Sequence, residues 1–264
     1  MVTRILLLGI FVTGLVAQFV KPIGDALQDK TFLGGALFSL VGYILYDAVK
    51  EISARDQVHA REVMESDDLG DQVAAAFSAR EVTVCFFGYT GETLVSKMVS
   101  QLEQLVRNPG NTQSVTIRMM VPDFSQQMVV PARVGPDGTP QDDPVFRARL
   151  DGKCRRYRDD LQHVTDQLAA LGRVRVEFGY RQYQGVPREK ICIFNDQLVL
   201  HGRYNIATQQ DYGSHAMYDP KGYMTDLYVW SRAQSESAVA RWVKDLDNEW
   251  EFAVEPAWSN VPQS

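Results

Sequence analysis

The sequence is short of cysteine, histidine and positive charge, and each shortage argues against a class of function. Its three cysteines, Cys85, Cys154 and Cys192, are odd in number, and no C-x-x-C or close Cys/His pair occurs. That leaves no disulfide framework and no zinc site of familiar spacing, and fits a reducing compartment. No metal or other cofactor is expected. Net charge is −6 with a pI near 5.3, where a general nucleic-acid binder would show a basic excess. Residues 1–52 carry four acids and four bases, so the whole imbalance belongs to the remainder. Internal repeats are absent. No uncharged run reaches the ~20 residues of an ordinary membrane-spanning helix.

What is present begins with two runs that come close to that length. Ile5 to Val20 is uncharged over 16 residues and Phe32 to Tyr46 over 15, closed by Arg4, Lys21, Asp47 and Lys50. As helices they would cover about 22–24 Å, against a hydrocarbon core of about 30 Å. Snorkelling lysines and the interfacial Tyr43 and Tyr46 extend the reach. The expectation is a multi-pass anchor in the cell membrane over residues 1–52, meeting the bilayer through 5–20 and 32–49. A cleaved signal peptide followed by one span is the alternative. Arg4, Lys50, Arg55 and Arg61 outside the pair, against Lys21 and Lys30 within it, put both termini and the soluble domain in the cytoplasm. Residues 53–68 continue as a charged juxtamembrane linker helix.

From residue 69 to 258 the pattern is that of an α/β domain, with a disordered tail at 259–264. Val82 to Phe87 reads as a buried strand, Gly88 to Glu92 as a turn, and Leu94, Met98, Leu102 and Leu105 as one side of a helix. Val115 to Val121 is the next strand, so the order is βαβ. Pro122 to Pro144 holds five of the eleven prolines and is expected as a long surface loop, either a lid or an expendable insertion. Phe146 to Leu171 steps by three and four as a long amphipathic helix. Its outer face would carry Arg147, Arg149, Lys153, Arg155, Arg156 and Arg158, either solvated or facing lipid headgroups. Val174 to Phe178 is a strand, followed by a loop through Tyr180 and Tyr183. A polar loop runs from Thr208 to Gly222. Leu227 to Trp230 is the last strand, and Ser235 to Phe252 a closing helix with Val239, Trp242, Val243, Leu246 and Trp250 inward.

The domain is organised around Pro187 to Asn205, P-R-E-K-I-C-I-F-N-D-Q-L-V-L-H-G-R-Y-N. Two apolar runs, Ile191–Phe194 and Leu198–Leu200, flank an Asn195-Asp196-Gln197 turn, which predicts a tight pair of strands. Arg188 and Lys190 lie two apart and so are expected on one face.

This spacing resembles the signature of the phospholipase D superfamily: His-x-Lys, four residues, Asp, then Gly-x-x-Asn. Lys190, Gly202 and Asn205 fall on its lysine, glycine and asparagine, while Arg188 stands at the nucleophilic histidine and Asn195 at the aspartate. The resemblance implies a mixed sheet flanked by helices over about residues 80–255, a phosphoryl-binding lysine and asparagine, and a homodimer paired across the site. It also implies a lost nucleophile, since a guanidinium stays protonated at any working pH.

Arginine does suit phosphate through its planar fork. The expected site is therefore an anion pocket of Arg188, Lys190, Asn205 and Arg203, with Asn195 and Gly202 shaping the turn. Tyr89, Thr90 and Glu92 form its rim, where a helix start adds backbone donors. His201 and His215 are the only histidines near enough in sequence to rescue chemistry. The leading reading is a membrane-anchored, catalytically inactive phospholipase D-like module that binds a phosphate-bearing ligand or a protein partner. Two alternatives stay open: an active phosphodiesterase, phospholipase or nuclease using a histidine outside the signature, and a structural effector domain with a vestigial pocket.

Overall fold

The computed structural model describes residues 63–260, together with Val41. The chain divides into two compact units, 1–60 and 61–264. The two N-terminal apolar runs, except Val41, lie outside the described residues. Among the described residues no helix is long and apolar enough to cross a membrane.

The second unit is a mixed α/β structure. Eleven strands occur among the described residues: β1 (Val63–Met64), β2 (Glu81–Phe87), β3 (Ser114–Pro122), β4 (Ala132–Val134), β5 (Pro140–Asp142), β6 (Arg175–Tyr183), β7 (Glu189–Phe194), β8 (Leu198–Arg203), β9 (Gln209–Asp211), β10 (Ala216–Tyr218) and β11 (Leu227–Ser231). Four α-helices accompany them: α1 (Leu69–Phe77), α2 (Glu92–Arg107), α3 (Pro144–Ala170) and α4 (Glu236–Phe252). Seven strands form the main sheet in the order β1-β11-β8-β7-β2-β3-β6. β2, β3 and β6 run parallel, and the rest pair antiparallel.

Parallel neighbours require crossovers, and α2 and α3 supply them, packing against each other on one face with α1 beside α2. Strand alternation then divides the core. Val82, Val84, Phe86, Ile117, Met119, Cys192, Phe194 and Leu200 point to α1–α3. Met120, Ile191, Ile193 and Val199 point the other way, to Val239, Leu246 and Trp250 of α4. The apolar run of β2 is long because both its faces are covered.

The predicted hairpin is present. β7 and β8 pair from Glu189↔Arg203 to Phe194↔Leu198, and Asn195 and Asp196 both adopt left-handed backbone at φ 53°. Asparagine and aspartate tolerate that conformation because their short polar side chains bond locally.

Several sequence expectations need correction. Residues 63–68, expected to end a linker helix, form β1 and a 3-10 turn (Ser66–Asp68), because β1 completes the sheet edge at β11. Within Pro122–Pro144, β4 and β5 form a hairpin joined by β10 and β9 into a second, four-stranded sheet. The 208–222 segment thus contains two strands. The loop expected through Tyr180 and Tyr183 is strand, since β6 follows β3 as far as Tyr183↔Pro122. Arg147 is not on the outer face of α3: it is buried, ion-paired to Asp142 at 2.8 Å and hydrogen-bonded to the Phe124 carbonyl. Residues 259–260, expected in a disordered tail, end a 3-10 turn (Ala257–Asn260).

Candidate functional site

A cavity of about 350 Å³ opens where β2 ends, on the α1–α3 face of the sheet. Its floor comes from the signature strand and its sides from α2, α3 and the chain between β10 and β11. The Gly88–Gly91 turn makes the first wall. A Cβ at Gly88 would lie 2.6 Å from the Phe86 ring and 2.8 Å from the Tyr204 hydroxyl, so the backbone passes there only as glycine. The Tyr89 amide donates to that hydroxyl at 3.0 Å. Gly91, at φ 74°, then starts α2 without any side-chain cap. No side chain caps the first amides of α2, which lie at the positive end of the helix dipole. Gly91, Glu92, Thr93 and Leu94 all line the cavity.

Lys190 reaches it from β7. Its side chain points to the same face as Cys192 and Phe194, and the residue is only 2% exposed. The ammonium donates to Ser66 Oγ at 3.0 Å and to the Gly222 carbonyl at 3.1 Å. Ser66 is held in turn by donating to the Thr225 carbonyl at 2.6 Å. No carboxylate of the described residues is within ion-pairing distance of Lys190. Burial lowers its pKa below the ordinary value of 10.5, and Cys192 and then Asp67 only partly restore it. A cation held by neutral oxygens keeps most of its charge available to a further partner, whereas a buried ion pair does not.

The opposite wall is a second network. Asp219 is buried and accepts from Tyr89 Oη at 2.8 Å, from Lys221 Nζ at 2.7 Å and from the Tyr212 hydroxyl. Lys221 also donates to Tyr212 at 2.8 Å. Burial works against its ammonium, but the bonds to Asp219 and Tyr212 outweigh that and raise its pKa. Burial, then the charge of Asp219, pushes the Tyr89 phenol well above its ordinary range. Arg149 and Lys153 of α3 complete the lining, Lys153 lying 3.5 Å from Glu92. The lining thus holds four bases, Arg149, Lys153, Lys190 and Lys221, against two acids, Glu92 and Asp219. Four bases against two acids leave the lining with a positive excess.

The structure brings only part of the expected set together. Lys190 and the rim residues Tyr89, Thr90 and Glu92 line this cavity. Arg188 does not: it is exposed, and its backbone carbonyl accepts from the Tyr204 amide at 2.9 Å. β7 begins at Glu189, so the two-residue alternation does not extend to Arg188. Arg203 and Asn205 line a neighbouring cleft with Lys221, Met224 and Tyr228. There the Asn205 side chain caps its own turn, accepting from the Ala207 amide at 3.2 Å.

Asn195 bridges elements instead of facing the cavity. Its Oδ1 accepts from the Thr83 amide at 2.8 Å and its Nδ2 donates to the Ala76 carbonyl at 3.0 Å. Gly202 lies where β11 crosses closely, since a Cβ there would be 2.4 Å from the Asp226 carbonyl oxygen. His201 points to the α4 face, 4.7 Å from the Trp242 ring and 3.9 Å from Glu189. His215 sits in the β9–β10 turn, with Nδ1 2.8 Å from Ser214 Oγ. Neither histidine is among the cavity-lining residues.

Sequence reasoning missed Lys221, Asp219, Tyr204, Tyr212 and Ser66. The D-P-K triplet at 219–221 was a usable signal, a charged pair beside a proline in an otherwise polar loop; Ser66 had none. Among the described residues no cluster of histidine, cysteine and acidic side chains could hold a metal. A scan against protein-family models finds no match for this chain, and neither does a search of curated proteins.

Proposed function

We propose that this domain is a phospholipase D-like module without the family's nucleophile, and that it binds a phosphate-bearing ligand in the cavity beside Lys190. The observation that carries this reading is the Lys190 ammonium itself: buried, bonded only to neutral oxygens, and lining a cavity with the uncapped start of α2. Amides at a helix start and a desolvated ammonium are complementary to a phosphoryl group, which offers several acceptor oxygens and at least one negative charge. The fit of P-R-E-K-I-C-I-F-N-D-Q-L-V-L-H-G-R-Y-N to the superfamily spacing supports the family assignment, as does a hairpin that places the signature lysine at the cavity. Attachment to the cell membrane through residues 5–20 and 32–49, with the domain in the cytoplasm, and pairing of two copies across the cavity belong to the same reading.

The enzyme alternative finds little support in the geometry. An in-line phosphoryl transfer needs a nucleophile at the ligand, and Arg188, His201 and His215 all lie away from the cavity lining. The test is thermal unfolding of the full chain with inorganic phosphate, for the unsubstituted protein and for Lys190→Ala. Saturation at a hundredfold excess over Kd raises stability by about 2.7 kcal/mol, a shift of several degrees. The shift is expected in the unsubstituted chain and absent in the variant. A folded unsubstituted chain that phosphate, nucleotides and phospholipid headgroups all leave unmoved would sink the reading.

A further inference from the structure

The main sheet ends on β6, and most of that edge is open. β6 runs for nine residues with β3 on one side and, among the described residues, a single bridge on the other. The Arg175 amide donates to the Gln113 carbonyl, just before β3, at 2.9 Å. Alternate residues from Arg175 therefore turn their backbone groups to β3, and Val176, Phe178, Tyr180 and Gln182 turn theirs outward. Gln182 is satisfied, since it exchanges both hydrogen bonds with Val254, at 2.7 and 2.9 Å. Continuing that pairing would set Pro256 opposite Tyr180, and proline has no N–H to donate. The chain leaves the edge instead, and Trp258 packs beside Tyr180 and donates to Asp151 of α3. Val176 and Phe178 keep outward amides and carbonyls that no described segment pairs.

An unpaired edge is a template for another strand unless a bulge, a proline or a lysine blunts it. From Arg175 to Gly179, β6 has none of these and follows β3 residue for residue. Its side chains then select the partner. Arg175 and Glu177 are exposed on the α4 face, and neither is ion-paired among the described residues. Val176 and Phe178 lie half-buried on the other face, against the core under α1–α3.

Two copies closing about a two-fold axis would pair β6 with itself antiparallel. With the axis at Val176, Arg175 of each copy lies opposite Glu177 of the other, which makes two ion pairs, and Val176 meets its own copy. An axis at Arg175 or at Glu177 brings like charges together on the axis itself. At Phe178 it sets Arg175 against Arg181. At Gly179 it sets Val176 of one copy opposite Gln182 of the other, where Val254 already lies. Opposite charges across a ladder stabilise it and like charges destabilise it. The charge pattern thus admits one register.

We infer that the β6 edge is a self-pairing surface: β6 of a second copy adds antiparallel about Val176 and joins the two main sheets into one. The inference goes beyond the phosphate reading and uses nothing of the cavity, which no residue of β6 lines. The ladder is short, so the dimer forms reversibly and follows protein concentration.

The experiment uses the full chain in detergent micelles, with dimer content read by sedimentation velocity across a concentration series. The unsubstituted chain is expected to dimerise. Arg175→Glu and Glu177→Arg, each turning two attractions into two repulsions, should weaken the dimer about tenfold. The double variant Arg175→Glu with Glu177→Arg should restore it. Val176→Cys supplies a second measurement that does not rest on charge. Opposed residues of a hydrogen-bonded antiparallel pair have Cα atoms about 5.5 Å apart, within disulfide reach. Mild oxidation should therefore link two Val176→Cys chains, while Val145→Cys, 80% exposed at the start of α3, should stay unlinked beyond the unsubstituted background. A chain that is monomeric throughout the series overturns the inference. So does a dimer that both reversals leave unchanged, which is held by another surface, or a double variant no better than the single ones. Val176→Cys chains that link no faster than Val145→Cys chains overturn it equally. Phosphate stabilisation lost in Lys190→Ala is read separately, so either proposal can fall while the other stands.

Discussion

Beneath α4, the sheet meets its cations with planar and anionic partners. Arg118 is ion-paired to Asp247 at 2.9 Å and lies 5.6 Å from the Trp250 ring, while Arg181 stacks 4.4 Å from the same ring and donates to the Trp250 carbonyl. Gly179 makes room for that ring, since a Cβ there would lie 2.7 Å from it. On the opposite face, Lys190 meets two neutral oxygens and a cavity. The same β7–β8 pair serves both faces, and side-chain alternation alone decides which a residue joins. One face uses its cations up in packing. The other leaves a charge without a carboxylate partner among the described residues, and that contrast is why the proposed anion site lies on that face.

The contrast can be broken first at Trp250. Trp250→Ala should cost about 3–5 kcal/mol, read as a lower urea midpoint, because it empties the α4 core and removes the partner of two guanidinium groups. Phosphate stabilisation should survive in the fraction that folds. Its loss in a folded variant would mean the two faces are coupled.

Asn195 comes next, since it ties the hairpin turn to β2 and α1. Asn195→Ala should lose about 2 kcal/mol in the same measurement, two half-buried hydrogen bonds at about 1 kcal/mol each. Asn195→Asp, which restores the signature residue, should also destabilise, because a carboxylate would face the Ala76 carbonyl. A variant as stable as the unsubstituted chain would show that this bridge contributes nothing.

Lys190→Met sharpens the comparison from the other side. Removing a buried cation without a carboxylate partner should change stability at pH 7 by no more than about 1 kcal/mol, while abolishing the phosphate response. The pH dependence carries a signature as well. Because burial lowers the Lys190 pKa, the unfolded chain binds the extra proton between that lowered value and 10.5. Stability contributed at this site therefore rises with pH across that window and is lost as pH falls through it. The difference between the unsubstituted chain and Lys190→Met should narrow or reverse accordingly in alkaline urea titrations. A difference flat in pH would mean that Lys190 is not desolvated.

The smallest effect is expected at Arg188. Arg188→His restores the superfamily's nucleophile in sequence, but the position is exposed and outside the cavity lining. Stability should move by less than about 0.5 kcal/mol, and hydrolysis of a bis-nitrophenyl phosphodiester should stay at background. Turnover above background would place Arg188 closer to the ligand than the free protein shows.

The sequence alone determined the helices it predicts over 146–171 and 235–252, found at Pro144–Ala170 and Glu236–Phe252, as well as the buried strands, the Asn195–Gln197 turn and the inward aromatic face of α4. Each follows from periodicity and local backbone preference, which act over a few residues. It also singled out Lys190 together with Tyr89, Thr90 and Glu92, because a strand start and a helix start each expose polar groups at a predictable place. Only the tertiary structure decided that Lys190 and Arg188 part company, that Asn205 and Arg203 face another cleft, and that His201 lies beneath α4. Alternation holds only inside a ladder, and the ladder begins at Glu189. Likewise Ser66, 124 positions from Lys190, and Lys221 complete the site through contacts that no local pattern encodes. Long-range packing set the partners of the one buried lysine among the described residues, and those partners are neutral oxygens that no local pattern in the sequence announces.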